Sequence, residues 1–576
     1  MAKKKRRKKQ VLTPEQKLAR RIQRKFSADI IATFERAGFV RVRSRDVQVE
    51  IDGRKGEFDQ IFVLGGIIVL LEETCTRDTE SIKNHLNNKA NFHAAFRTRN
   101  KELVQLLDAK IPGFKAARDG KRDADDCRVI YVYCSRYPFE KFERPEYQHI
   151  HFLSYEYLRY FRQLTKTIGA SAKYEIFKFL GLTTKDVRGK PGKDLAEYRG
   201  FVLPERPSGF PSNHKLVTFY VDPATLIEIC YALRRDSWQD ADALYQRMLI
   251  RSKIRQMRKF LVSKGHVYVN NVIVSLPLST GFVDGEGKAV NPDGLAEATD
   301  VTVRIPREFN SVGLIDGQHR VFSYHEGNDE FEPKIAKLRD KQQLLVTGII
   351  FPGSLKADQR LIREADLFLE INDRQSRTKS ELKQSIETIV APYSDIAIAR
   401  SVISELAKVG PLTGHLKDHY FDEGLIKTSS IVSYALRYLV TLKGLDGHRP
   451  LSEYWSAPKI ALLRDTKDAT LELRTEYVKW CASQINQFLS AFRAVVPKSM
   501  WTTERKVSRA LSVTMINGLI FCLRDVLTDK GPGDFESYHK AFSKLTLKYG
   551  PKEFSYKSSH YRALGQHIYQ QCFKNG

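Results

Sequence analysis

"GEFDQIFVLGGIIVLLEETCT", Gly56 to Thr76, holds the clearest β-hairpin signal in the chain. Its halves, GEFDQIFVL and IIVLLEETCT, are apolar runs parted by Gly65 and Gly66, the composition of two strands joined by a tight turn. Before it, PEQKLARRIQRKFSADIIATFERAGF places Leu18, Ile22, Phe26, Ile30 and Ile31 at helical spacing and ends at Gly38, and VRVRSRDVQVEI adds another strand-like piece. After it come a polar helix, DTESIKNHLNNKANFHAAF, and the strand CRVIYVYC (Cys127 to Cys134), so the order is α-β-β-β-α-β. The hairpin carries carboxylates in an apolar setting: Asp59, with Glu57 on the same strand face, then Glu72 and Glu73. Alternation groups Glu72 with Ile68, Leu70 and Thr74, and Glu73 with Val69, Leu71 and Cys75, and leaves open which face turns inward. Oxygen ligands from two adjacent strands suit a hard divalent cation, which lowers the pKa of a bound water and stabilises displacement at phosphorus. The plainer alternative is an ordinary strand with solvated carboxylates.

The chain is 576 residues long, enough for about three or four domains, and its 42% hydrophobic and 11% aromatic content excludes a disordered protein. Its net charge is +27, and only seven of those charges lie in the opening KKKRRKK (Lys3 to Lys9), so the basic excess belongs to the folded body and favours a polyanion, most simply DNA. The tail reads either as a solvated arm or as one that touches phosphate or serves as a localisation signal. Seven scattered Cys without a C-x-x-C pair argue against disulfides or a zinc site and for a reducing, cytoplasmic setting. No segment reaches the roughly 18 apolar residues of a membrane span, so no membrane partner is expected.

Further along, Tyr155 to Leu180 is helical in pattern, and Val187 to His214, rich in Pro, Gly and charge, reads as a linker. Strand and helix signals mix up to KQQLLVTGIIF, and helices dominate beyond about Ser380. At "VGLIDGQHRVFSYHEG" (Val312 to Gly327) a buried strand meets the first turn of a helix. Gly317 permits the tight turn, and Gln318, His319 and Arg320 stand where a helix start could receive an anion. The competing reading is an Asp-Gly turn in which Asp316 and Arg320 serve local structure.

Two resemblances bear on these stretches. The pentapeptide DGQHR resembles the signature of the DGQHR-domain family, which includes DndB-like proteins associated with DNA phosphorothioation and relatives in phage-defence loci. Further pieces follow in family order: LYQR (Leu244 to Arg247), VNNVIVSLP and LFLEINDRQSRTKSEL. The likeness covers about Leu216 to Val390 and implies a ParB/sulfiredoxin-like core. It also implies a nucleotide or phosphate site built from Asp316, Gly317, Gln318, His319, Arg320, Arg247, Asn372 and Gln375, with a nucleoside triphosphate as cofactor. Gln318 stands where sulfiredoxin carries its Cys, which puts sulfur chemistry by that route in doubt.

The α-β-β-β-α-β order is similar to a PD-(D/E)xK nuclease core over about residues 15 to 140. That resemblance implies Mg²⁺ held by Asp59 and Glu72, with a lysine two residues after the Glu; here that position is Thr74. Thr74 shares the face of Glu72, which favours Glu72 over Glu73. A lysine from the following helix could replace the missing one, and Lys83, in the helix's opening turns, is preferred to Lys89. Without such a lysine the domain would bind DNA without cutting it.

The expected protein is therefore α/β (α+β). It has a basic tail (1–14), a PD-(D/E)xK-like domain (15–150), a helical linker region (151–213), a ParB-like DGQHR domain (214–390) and a helical C-terminal region (391–576). The expected function is DNA binding in a bacterial DNA-modification or antiviral defence system, with a nucleotide or phosphate at the DGQHR corner and other proteins of that system, or a second copy of the chain, as further partners. One alternative is a Mg²⁺-dependent restriction-type endonuclease with Asp59, Glu72 and Lys83 as catalytic residues; another is a DndB-like regulator without catalysis.

Overall fold

A computed structural model describes residues 13–574, apart from 45–46, 52, 119–122, 138–146, 189–194, 212, 233–248, 376–379, 418–424, 445–446, 466–468, 505–506, 551–552 and 557–559. The protein is mixed α/β and its described residues divide into two compact units, one within residues 13–232 and 249–355 and the other within residues 356–574. Among the described residues no helix is long and apolar enough to cross a membrane.

The first unit opens with α1 (Pro14–Arg36), whose N-cap Thr13 accepts from the Gln16 amide while the Gln16 side chain accepts from the Thr13 amide. A five-stranded sheet follows, in spatial order β1 (Val40–Val42), β2 (Gln60–Leu64), β3 (Ile67–Thr74), β4 (Arg128–Ser135) and β5 (Ile150–Ser154). The first three are antiparallel and the last two run parallel to β3. The parallel step needs a crossover, which α2 (Thr79–Ala94), capped by Asp78, begins. Val69 and Leu71 as well as Ile68 and Leu70 are buried, because helices cover both faces of the sheet. The α2 face is filled by Ile61, Val63, Ile68, Leu70, Ile82, Leu86 and Phe96. On the other face α1 lays Phe34 flat on Phe62, and α3 (Tyr155–Ile168) joins α1 through the Arg162–Asp29 pair at 3.1 Å.

Here the expected boundaries shift. Ile150–Ser154 is a fifth strand, short because helix α3 begins at once with Ser154 as its cap. The stretch read as a linker contains β6 (Leu195–Leu203). β6 belongs to an eight-stranded sheet with β7 (Lys215–Val221), β8 (Cys230–Ala232), β9 (Val272–Ser275), β10 (Gly281–Val283), β11 (Thr299–Pro306), β12 (Val312–Asp316) and β13 (Leu344–Ile350). Their spatial order is β8-β12-β9-β13-β7-β6-β11-β10. Gly200 is obligatory in β6, since a Cβ there would run into the Thr218 carbonyl of β7. The two sheets meet within this unit where Lys173 pairs with Glu326 at 2.8 Å and Phe177 packs on Phe309.

The second unit is mainly helical, cored by residues from Ile398 to Phe573 and crossed by α7 (Leu471–Val495) and α8 (Val513–Lys530). It begins at Lys356 rather than near residue 391, so α6 (Ala357–Gln375), which carries the expected Asn372 and Gln375, belongs to it.

Candidate functional site

The antiparallel register of β2 and β3 pairs Leu64 with Ile67 and Gln60 with Leu71. One step further out from the turn, Asp59 stands opposite Glu72. Like charges placed face to face across a ladder destabilise it, so a carboxylate pair there calls for a compensating cation. Lys89 of α2 supplies one: its Nζ lies 2.7 Å from Glu72 Oε2 and donates to the Glu57 carbonyl at 2.7 Å. Asp59 Oδ2 accepts from the Glu73 amide at 2.9 Å, which fixes its carboxylate at the end of the strand.

Glu72 is fully buried; Oε2 meets the Lys89 ammonium, and Oε1 has no hydrogen-bond partner among the described residues. Burial pushes its pKa well above the usual carboxylate range; Lys89 pulls it down and Asp59 adds to the rise. Of the two glutamates, Glu72 therefore shares the side of Asp59 and α2, and Glu73 lies across the sheet.

Lysine 83 is not the partner. It is only loosely paired with Glu80, at 4.0 Å, while Lys89, six residues later, reaches Glu72. The expectation for Lys83 assumed that the site lies at the start of α2; the helix instead crosses Glu72 with its third turn. His85, Lys89 and His93, spaced by four, line one stripe of α2. His85 Nδ1 is 3.0 Å from the Tyr133 hydroxyl. His93 is 1% exposed, stacks on Tyr131 at 4.2 Å and places Nε2 3.9 Å from Glu72 Oε1, and burial lowers its pKa to about 3. Neither histidine was singled out from the sequence, although the i, i+4, i+8 spacing through Lys89 was there to be read.

The DGQHR corner is arranged differently. Gly317 takes φ 93° and turns the chain from β12 into α5 (Gln318–Phe322). That helix has five residues, too few for an anion-binding dipole of any strength. Arg320 donates through Nη2 to Asp316 Oδ2 at 2.7 Å and to the Asn271 carbonyl at 2.8 Å. His319 Nε2 accepts from the Ile250 amide at 3.0 Å, and Gln318 is buried. Arg320 Nη2 and His319 Nε2 thus bond within the protein, as in the local arrangement weighed as the competing reading, while Arg320 Nε is buried without a hydrogen-bond partner among the described residues.

Arg247 lies outside the described residues, as do the side chains of Asn372 and Gln375. The neighbouring basic helix α4 (Arg251–Lys264) buries Arg258 completely, with donors to the Ser323 and His325 carbonyls and to Asp329 and Glu332. This arginine anchors the segment after the DGQHR motif and is not on a solvated face.

Asp59 and Glu72 suit Mg²⁺ in kind: they are hard oxygen donors, and Glu72 is a buried carboxylate with unfilled lone pairs. Among the described residues no three His, Cys, Asp or Glu side chains form a cage, and Mg²⁺ commonly uses one or two carboxylates and completes its shell with water and phosphate oxygens. No family model, curated protein or solved structure matches the chain.

Proposed function

We propose that this protein is a Mg²⁺-dependent DNA endonuclease whose N-terminal sheet is PD-(D/E)xK-like, working in the bacterial DNA-modification or antiviral setting that the DGQHR resemblance implies. The observation that carries this reading is the juxtaposition of Asp59 and Glu72 across β2 and β3 with the Lys89 ammonium on Glu72. Asp59 and Glu72 would hold the ion, which when bound supplies a more acidic water and neutralises charge at phosphorus.

The chain's own residues do the rest. Lys89 has three N–H donors; the Glu72 carboxylate and the Glu57 carbonyl engage two, leaving one to aim at a water or a phosphate oxygen. The lysine that the nuclease pattern places two residues after the Glu is thus replaced in space by one from α2. DNA is the substrate best matched to the +27 charge.

The test is plasmid nicking with Mg²⁺ or Mn²⁺. Asp59→Ala should abolish it, Lys89→Met should slow it by roughly 10²- to 10³-fold, as loss of one oriented charge-stabilising donor does, and Lys83→Met should leave it near wild type. Cleavage that survives Asp59→Ala removes the reading.

A further inference from the structure

The first half of α1 stands clear of the body. Every residue from Pro14 to Arg21 is exposed, Leu18 at 58%, and the helix begins to bury side chains only at Phe26. A free half-helix that made no contacts would be costly to keep ordered unless another body engaged it.

Its composition points to that body. Lys17, Arg20, Arg21, Arg24 and Lys25 follow the i, i+3, i+4, i+7, i+8 pattern of a single helix face, about 12 Å from end to end at 1.5 Å rise per residue. None of the five has an acidic partner among the described residues. Cations on exposed helices are usually offset by nearby carboxylates, and here Glu15 is the one acid in the half-helix.

The stripe also lies toward the same end of the sheet as the candidate site, on the opposite face. Ser27, two residues beyond it, accepts from Gln60 Nε2 at 3.2 Å, and Gln60 is the residue after Asp59. Because β1 is antiparallel to β2, the C-terminal end of α1 sits toward Leu64 and the free end projects past Asp59 and Glu72.

A second basic feature meets the first there. Phe26 packs on Tyr155 at 6.0 Å. Arg136 lies 3.6 Å over the Tyr155 ring and Arg159 5.3 Å from it, while Arg77 and Arg136 sit at 4.6 and 5.4 Å from the Tyr137 ring. Arg77 follows β3 and Arg136 follows β4, so this ladder crowns the same end of the sheet as the carboxylates. Rings hold guanidinium groups without neutralising them, which keeps the charge of Arg77 and Arg136 available to a ligand.

We infer that the free half of α1 and the Arg77–Arg136 pair form one surface that holds the phosphates of duplex DNA at the end of the sheet where Asp59 and Glu72 stand. The position of this surface relative to the cut rests on the nuclease reading; its capacity to bind does not. A stripe one face wide reaches about three phosphates at once, each worth about 0.9 in the slope of log affinity against log salt.

The experiment is fluorescence anisotropy of a 30-base-pair duplex in EDTA with the full chain, at several salt concentrations. It compares wild type with Lys17→Gln/Arg20→Gln/Arg21→Gln/Arg24→Gln/Lys25→Gln, and with a control losing five exposed charges elsewhere, Lys110→Gln/Lys115→Gln/Lys288→Gln/Lys479→Gln/Lys498→Gln. The stripe variant should lose about 2.7 from the slope and bind roughly a hundredfold more weakly at 0.15 M salt, with the control within about threefold of wild type. Its thermal transition should stay put, since all five side chains are exposed. A stripe variant that matches the control overturns the inference, even if plasmid nicking succeeds; loss of binding with no nicking by wild type leaves the surface standing and removes the nuclease reading instead.

Discussion

Replacing Arg320 by Ala distinguishes a ligand-binding DGQHR corner from a structural one. The Arg320 and Asp316 side chains are 19% and 18% exposed, and their contact is 2.7 Å. Breaking a fully buried pair from one side costs about 3 to 5 kcal/mol, because the remaining charge has no partner; with about a fifth of each group in contact with water, about 2 kcal/mol is the appropriate figure. The lost hydrogen bond to the Asn271 carbonyl adds about 1 kcal/mol. At about 2.1 cal/mol/K of unfolding entropy per residue, a unit of about 340 residues has roughly 0.7 kcal/mol/K, so about 3 kcal/mol lowers Tm by about 4 °C. Scanning calorimetry of Arg320→Ala, Asp316→Ala and the double variant measures this, and the double should cost less than the two singles together, because one interaction is removed in both. A Tm within 1 °C of wild type, together with a nucleotide-binding isotherm that Arg320→Ala abolishes, refutes the argument and restores the nucleotide site that the DGQHR resemblance implies.

Three further outcomes follow from the geometry. Lys89 lowers the pKa of Glu72, so Lys89→Met should raise it further and move the acid limb of the cleavage rate to higher pH; a limb that stays in place would mean Glu72 does not titrate in the reaction. His93 is held neutral down to about pH 3, whereas the unfolded chain protonates it near 6.5, so the fold loses about 1.4 kcal/mol per pH unit below 6.5 through this residue. His93→Leu should accordingly remove about 2 kcal/mol of the stability lost between pH 6.5 and 5, read from urea denaturation at both pH values. Gly200→Ala should destabilise the first unit by at least about 2 kcal/mol, because the added methyl meets the Thr218 carbonyl and the strands must part; an unchanged denaturation midpoint would show that β6 and β7 can separate freely.

How far the site was legible depends on whether local chain geometry or tertiary packing sets each position. The choice between Glu72 and Glu73 follows from local geometry: a two-residue turn at Gly65-Gly66 sets Leu64 opposite Ile67, and counting outward from that pair along the sequence puts Asp59 opposite Glu72. The choice between Lys83 and Lys89 does not, since it depends on where α2 crosses the sheet, which is set by how Ile82, Leu86 and Ala90 pack against the hairpin. Strand β6 was hidden for another reason. Its alternation of buried Ala196, Gly200 and Val202 with exposed Leu195, Glu197, Arg199 and Phe201 is plain in isolation, but it sits among prolines and glycines that signal a linker, and Gly200 reads as a breaker when it is a close backbone approach. At the DGQHR corner the residues themselves offered two readings, a helix-start anion site and an Asp-Arg pair one turn apart, and spacing alone could not choose between them. What packing adds is the Asn271 carbonyl, just before β9, brought to Arg320 across 49 positions by the pairing of β9 with β12. Arg320 meets both acceptors through Nη2 alone and leaves Nε buried without a hydrogen-bond partner among the described residues, so the corner keeps guanidinium donors for an anion and the Arg320→Ala comparison is what separates its two readings.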